Sequence, residues 1–470
     1  MDKRKFLILA LATFLRFYNL DYPPFFFDES VHTVFVDNVL SGNYRYDPAF
    51  HGPLLFYLTS IPVSIFGKFE FAYRLVPAIF GVLTVALIFK FDRFFGSCAY
   101  YSALLVAVSP IIVNYSRFFR NESQILFFTL AFVYLTFRYL ESRKFHHLLL
   151  ASISLSLFAC SKENFYPIVP LLLIYFLFDI KKFIPRHVIL SILAFLFVYF
   201  ALYTNLFTIP ITIKDFPAFK AIGYWKYQHD IARIGGPSWY YIPLIFLYDL
   251  PVLMLGIYAI VRWILRREDN IRYFLIYWFI VNLVFYSYVQ EKVPWLVVHM
   301  ELPLYMIAGI CLGELRRFKI FTTLLTFSFL LYSCIQLNIV NPTNPAEPAL
   351  YLPTSMDVKH FRDELKDLNI SKICVFMSPG DYWPLPCYLK DFKVYYSPHL
   401  DESFIERCEV VILNESNFLK VNLNYTKKDE ICLRSWVGYE DVNPVKVFEF
   451  LIFRRPMGKV HNFNHTVIFR

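Results

Sequence analysis

The chain reads as a mainly α-helical, polytopic membrane protein with a small α/β domain at its C-terminal end. Three observations predict this. The 470 residues are 57% hydrophobic, with a mean hydropathy of +0.46, and long apolar runs recur along the first 340 positions. The dense Lys/Arg clusters between those runs fall on one side when the runs are threaded alternately across a bilayer. From Asn341 the composition turns polar, and apolar residues alternate in short segments.

About eleven spans are expected, at roughly 5–21, 74–91, 97–115, 122–140, 146–160, 165–179, 187–206, 239–262, 271–289, 294–313 and 318–338. Leu54–Phe66 is left out because it is too short and is bracketed by Pro53 and Gly67. It suits an interfacial helix. With a cytoplasmic N-terminus, the inner segments hold Lys3/Arg4/Lys5, Lys90/Arg93, Arg138/Arg143/Lys144, Lys181/Lys182/Arg186, Arg262/Arg266/Arg267/Arg272 and Arg316/Arg317/Lys319. Counting 54–66 as a span would reverse the later sides and scatter them. The basic N-terminal run lacks a small-residue cleavage site and is read as a retained first span. A net charge of +9 with this distribution marks membrane orientation, not nucleic-acid binding.

Two domains are expected: a transmembrane domain over 1–340, with an outer-face loop at 22–73, and a soluble extracytoplasmic α/β domain over 341–470. NPTNPAEP at 341–348 is the linker. Asp357–Leu368 patterns as an amphipathic helix, and Lys372–Met377, Phe392–Tyr396, Val410–Leu413 and Val447–Phe453 as strands. Asn369, Asn414, Asn424 and Asn464 each begin an N-x-S/T tripeptide, which fits an external domain. Of the eight cysteines, Cys98, Cys160, Cys311 and Cys334 lie in or beside apolar runs, and Cys374, Cys387, Cys408 and Cys432 in the polar part. Their spacing fits unconnected thiols as well as one or two disulfides.

The outer segments carry the chemistry-bearing residues. Asp28 and Glu29 follow an aromatic cluster, and ionisable groups at such a place are functional candidates. A carboxylate there could take a proton from an attacking hydroxyl or hold a cation; the plain alternative is an acidic pair at a helix N-terminus. Tyr46, Asp47 and His51 follow as substrate-side candidates, with structural roles as strong for His51 and stronger for Asp47. Arg117, Arg120 and Glu122 sit at one outer helix end, Lys162 and Glu163 at the next, and Glu291 and Lys292 at another. Each Lys–Glu neighbour pair alone is a routine anchor. Three mixed sets on one face point to an anionic lipid headgroup, with Arg117, Arg120, Lys162 and Lys292 as phosphate ligands. His299 would point into the bundle or toward that headgroup.

No glycine-rich phosphate loop, nucleotide fingerprint or Ser/His/Asp set is evident. An outer-face enzyme without a nucleotide site needs a membrane-bound donor. A polyprenyl-phosphate sugar meets that need, its phosphate leaving under Arg/Lys stabilisation.

The Asp28–Glu29 loop, the YxYDPxxHGPLLFY pattern at 44–57 and FAYRLVPAIFG at 71–81 together resemble the GT-C glycosyltransferase superfamily. Its relatives include the protein O-mannosyltransferases and the lipid A aminoarabinose transferases. EKVPWLVVHMELPLYMIAG at 291–309, NPAEPALYLPTSMDV at 344–358 and DYWPLPCYLKDF at 381–392 resemble its archaeal, flippase-associated branch. The resemblance implies a GT-C fold, an extracytoplasmic site, a polyprenyl-phosphate (dolichyl phosphate) sugar donor and inversion at the anomeric carbon. It makes Asp28 the general base, with Glu29 beside it, and Glu122 the second acidic position. Some relatives carry an acidic pair there, where this chain has Asn121–Glu122, which weakens a two-carboxylate metal site. A divalent metal stays open as a cofactor, and no other is implied. The partners implied are membrane lipid, the lipid-linked donor, a glycan or protein acceptor and glycan-export machinery. The alternative is a non-catalytic accessory role in flipping or handling lipid-linked glycans. A transporter proper fits less well, because the spans hold few buried charges at mid-depth and no inverted repeat is visible.

Overall fold

The computed structural model describes residues 2–210, 216–418 and 425–470. The Asn424 tripeptide lies outside them. The described residues form two compact units: residues 1–20 with 36–340, and residues 21–35 with 341–470. The polar loop expected to belong wholly to the membrane domain is thus divided between them.

In the first unit, seven helices are long and apolar enough to cross a membrane: Glu70–Phe95, Glu122–Ser142, Pro185–Tyr203, Tyr241–Arg266, Asn270–Tyr288, Pro294–Glu314 and Lys319–Val340. The run expected at 97–115 is broken into Cys98–Ala107 and Pro110–Ser116, bent by 62°. Local chemistry explains the break. Pro110 starts the second piece, and the Ser109 hydroxyl accepts from the Ile112 N–H at 3.3 Å. The runs at 5–21, 146–160 and 165–179 form shorter helices, Lys3–Phe17, Phe145–Ala159 and Phe165–Phe176. Leu54–Phe66 is a 13-residue helix that ends at Gly67, where φ is +96°.

Helix Val298–Glu314 forms the centre of this unit, with every residue from Val298 to Leu312 buried. Its packing against Cys98–Ala107 depends on a missing side chain: a Cβ on Gly309 would lie 2.3 Å from the Ser102 Cα. The Ser102 hydroxyl then donates to the Met306 carbonyl at 3.0 Å.

The second unit holds a five-stranded sheet in the order β2-β1-β3-β5-β4. The strands are β1 Lys372–Phe376, β2 Lys393–Ser397, β3 Val410–Leu413, β4 Lys427–Val437 and β5 Val460–Phe469. β2, β1 and β3 are parallel, while β5 runs antiparallel to both β3 and β4. Helix Asp357–Asp367 precedes β1 and buries Val358, Phe361 and Leu365. A disulfide joins Cys374 in β1 to Cys408 just before β3, and the other six cysteines keep their thiols.

One expected element is corrected. Val447–Phe453 is not a strand but part of helix Pro444–Phe453. The Asn443 side chain caps it by accepting from the Lys446 N–H, and Pro444 supplies a preset first turn. These start signals outweigh the β-favouring composition of the run. The strands not anticipated are β4 and β5. They pair with each other over ten positions, with an irregularity between Cys432 and Arg434.

Residues 21–35 are held within the second unit by specific bonds. The Phe25 N–H donates to the Tyr388 hydroxyl at 2.6 Å, and the Thr354 hydroxyl donates to the Phe25 carbonyl at 2.9 Å. The Lys359 ammonium donates to the Asp21 carbonyl at 2.6 Å.

Candidate active site

The HGP tripeptide at 51–53 shows how the site is built. His51 takes a left-handed backbone, with φ of +74°, and turns the chain toward residues 160–161. The Gly52 N–H donates to the Ser161 carbonyl at 3.1 Å, and the Leu54 N–H to the Cys160 carbonyl at 2.9 Å. A Cβ at position 52 would lie 2.3 Å from the Cys160 oxygen, so this approach requires glycine. Pro53 then leads into helix Leu54–Phe66. The Asn121 side chain donates to the same Ser161 carbonyl at 2.7 Å, bringing a third segment to the junction.

Five charged or imidazole side chains meet here, with the Tyr46 hydroxyl beside them. His51 Nδ1 lies 2.9 Å from Glu163 Oε2, and the Tyr46 hydroxyl donates to Glu163 Oε1 at 3.1 Å. His51 Nε2 is 3.4 Å from Arg120 Nη2. Arginine only donates, so this contact needs a lone pair on Nε2 and places the ring proton on Nδ1, facing Glu163. Arg120 Nε lies 3.4 Å from Glu122 Oε2, and Lys162 Nζ lies 2.5 Å from Glu122 Oε1. The Arg120 guanidinium stacks 3.9 Å from the Trp295 ring centre.

Solvent barely reaches this network. The Glu122 and Glu163 side chains are 0% exposed, Lys162 2% and Arg120 3%, while His51 keeps 14%. His51 is therefore the most accessible of the five. Burial pushes the Glu163 carboxyl up to about 8, partly opposed by Lys162 and the Tyr46 hydrogen bond. Burial also lowers the Lys162 ammonium, against the pull of Glu122. Glu163 thus titrates well above the usual carboxylate range while holding the His51 ring and the Tyr46 hydroxyl.

Around the network, the Asn164 amide donates to the Tyr286 hydroxyl at 2.9 Å and contacts His299 Nε2 at 3.2 Å. The His299 ring stacks on Tyr286 at 5.4 Å. Tyr46 also lines a cavity of about 250 Å³ with Tyr44, Arg45, Tyr203, Asn205 and Lys220. Tyr46 therefore links the Glu163 carboxyl to an aromatic-walled space with two cations in its lining.

The structure thus brings together Tyr46, His51, Arg120, Glu122, Lys162, Glu163 and His299. Other sequence candidates are engaged in different ways. The Arg117 guanidinium donates to the carbonyls of Leu15, Arg16, Tyr18 and Asn19, closing the end of helix Lys3–Phe17. Lys292 donates to the carbonyls of Tyr286 at 2.8 Å and Ser287 at 2.6 Å. Both side chains, expected as phosphate ligands, donate to backbone carbonyls at helix ends. Asp47 is exposed and accepts from the Ala49 N–H at 2.9 Å, a local turn bond.

Asp28 and Glu29 belong to the second unit, in the first turn of helix Phe27–Leu40. Glu29 is fully buried, and its Oε2 accepts from the Phe26 N–H at 3.0 Å, a helix-start bond. Asp28 beside it is half-buried.

Sequence reasoning passed over Asn164, and over a second buried acidic pair. Asp249 and Glu301 are both 0% exposed, and the Tyr305 hydroxyl donates to Asp249. The backbone at Asp249 leaves helical geometry two residues before Pro251. Lone acids within apolar runs were the available signal. Among the described residues, no three His, Cys, Asp or Glu side chains gather as metal ligands would.

The chain shares its overall fold with two solved membrane proteins. The chain superposes on ArnT from Cupriavidus metallidurans, solved bound to undecaprenyl phosphate, with a TM-score of 0.66. The match covers 98% of this chain and 97% of that one, at 14% identity. The archaeal oligosaccharyltransferase AglB of Archaeoglobus fulgidus, solved with an inhibitory peptide and a dolichol-phosphate, matches with a TM-score of 0.54 at 12% identity. That match covers 87% of this chain and 68% of that one. At such identities the likeness is one of fold.

In sequence, the family model for dolichyl-phosphate-mannose-protein mannosyltransferases matches residues 50–203. That stretch holds His51, Arg120, Glu122, Lys162 and Glu163. An uncharacterized protein of Aquifex aeolicus is 26% identical over 314 residues, 63% of this chain and 61% of that protein. The undecaprenyl phosphate-alpha-4-amino-4-deoxy-L-arabinose arabinosyl transferase of Photorhabdus laumondii is 34% identical over 82 residues, 17% of this chain and 15% of that enzyme. The chain thus aligns with less than two thirds of the length of these relatives.

Proposed function

We propose that the protein is a membrane glycosyltransferase that moves a sugar from a polyprenyl-phosphate-linked donor to an acceptor hydroxyl on the extracytoplasmic face, with inversion. The observation that carries this reading is the buried His51–Glu163 and Arg120–Glu122–Lys162 network, built from three helix ends inside the stretch that matches the mannosyltransferase family. The one-sided Lys/Arg distribution supports a cytoplasmic N-terminus and an external C-terminal domain.

In this reading the donor phosphate meets His51, the accessible member of the network. Arg120 and Lys162 behind it supply positive potential in a dry surrounding, where it stabilises charge developing on the leaving phosphate. Asp28 takes the proton of the acceptor hydroxyl as its oxygen bonds to the anomeric carbon. The bond from that carbon to the phosphate oxygen breaks, and polyprenyl phosphate departs with the electron pair. Tyr46, Glu163 and the adjoining aromatic cavity border the space for the sugar. The acceptor is a glycan or a protein.

The test follows release of polyprenyl phosphate from a panel of polyprenyl-phosphate sugars by purified protein in lipid. Release that requires an acceptor, and falls by roughly 10²–10⁴ in Asp28→Asn, is the expected result for loss of a general base. Full turnover in Asp28→Asn would remove the assigned base. Donor binding without release, equal in both proteins, would favour the accessory role in lipid-linked glycan handling.

A further inference from the structure

Helix Pro444–Phe453 breaks the usual rule for a helix on the surface of a soluble domain. Its outward positions are apolar: Val445 is 67% exposed, Phe448 62%, Ile452 48% and Phe453 62%. Val445, Phe448 and Ile452 are spaced i, i+3, i+7 and share one stripe, while Phe450 on the opposite side is buried in the domain. Within the helix itself the one acid, Glu449, is paired with Arg455 at 3.6 Å. Lys446 and Arg455 flank it, and a ten-residue helix is too short to cross a bilayer.

Chain connectivity indicates what covers this face. The last membrane-spanning helix ends at Val340. Four residues later, the Asn344 amide donates to the Arg454 carbonyl at 3.4 Å, and Glu347 pairs with the Arg454 guanidinium at 3.5 Å. Four extended residues reach at most about 14 Å. Only Asn341, Pro342 and Thr343 thus connect the last apolar span to the residue that bonds the C-terminal end of helix Pro444–Phe453.

We propose that helix Pro444–Phe453 is an interfacial anchor that lies in the plane of the bilayer. Val445, Phe448, Ile452 and Phe453 enter the headgroup–acyl boundary, and Lys446 and Arg455 face anionic lipid phosphates. This anchor holds the second unit at the membrane surface. It does not depend on the reaction proposed above.

The experiment places a photoreactive benzoylphenylalanine at position 448 of the full-length protein in nanodiscs of phosphatidylcholine and phosphatidylglycerol. The comparison probe sits at Lys393, exposed at the start of β2. After irradiation, lipid adducts at 448 should exceed those at 393 by roughly tenfold. Equal yields at the two sites would overturn the proposal. So would crosslinks from 448 to a second copy of the chain, which would make the face a dimer contact. A second probe at position 445 keeps the test decisive where the first disturbs folding, and both proteins must retain the Cys374–Cys408 disulfide.

Discussion

His51 Nδ1 lies 2.9 Å from Glu163 Oε2, across 112 positions of sequence, and the carboxylate end of this pair is closed to solvent. The pair joins the loop before helix Leu54–Phe66 to the turn between Phe145–Ala159 and Phe165–Phe176. Four consequences of this junction and its surroundings can be measured.

Glu163 should make stability depend on pH. Its carboxyl is raised by burial from 4.5 to about 8. A raised carboxyl contributes its full stability below pH 4.5, and that contribution is lost as pH rises through about 8. Glu163→Gln cannot ionise and escapes this loss. Thermal unfolding in detergent, scanned from pH 5 to 9, should show the variant gaining on the wild type as pH rises. The limiting slope is about 1.4 kcal/mol per pH unit. A pH-independent difference would mean that the carboxyl titrates at its ordinary value.

The Arg120–Glu122–Lys162 set carries two cations against one carboxylate. Glu122→Gln leaves both cations buried together and should destabilise the unit by about 3–5 kcal/mol. Lys162→Met leaves Arg120 and Glu122 balanced and should cost less. The double variant should be more stable than Glu122→Gln alone. Denaturation midpoints of the three variants test the order, and strictly additive losses would contradict the coupling.

Gly52→Ala puts a methyl group 2.3 Å from the Cys160 carbonyl oxygen. Backbone on both sides must separate, so the cost should be about 1–3 kcal/mol. The His51–Glu163 distance should also lengthen, reducing turnover beyond what the stability loss explains. An unchanged rate would show that the junction tolerates movement.

Arg117 and Lys292 should matter for folding and not for donor binding. Arg117→Ala removes the donors to four carbonyls and should lower stability by about 1–3 kcal/mol. Donor affinity of the folded fraction should stay within about twofold, whereas Arg120→Ala should weaken it strongly by removing buried positive charge. A matched loss of affinity in Arg117→Ala would return Arg117 to the phosphate site.

The sequence by itself determined the class of this protein. Apolar runs of bilayer length, separated by basic clusters on one side, dictate a polytopic helical bundle whatever the packing, because unpaired backbone cannot stay in hydrocarbon. The change of composition at Asn341 likewise marked out the sheet-bearing part, and the helix ends opposite the basic clusters held most of the charged network. Tertiary structure decided which of those charges meet. Arg117 and Arg120 are three residues apart in the same inter-helix segment, yet one closes a helix end while the other joins Glu122 and His51. Local pattern cannot separate them, because their partners come from segments distant in the chain that only packing brings close. The same holds for Cys374 and Cys408, which pair because β1 and β3 lie side by side. In helix Pro444–Phe453, a cap and a proline overrode strand-like composition, and only the packed domain shows which of its apolar residues remain outside.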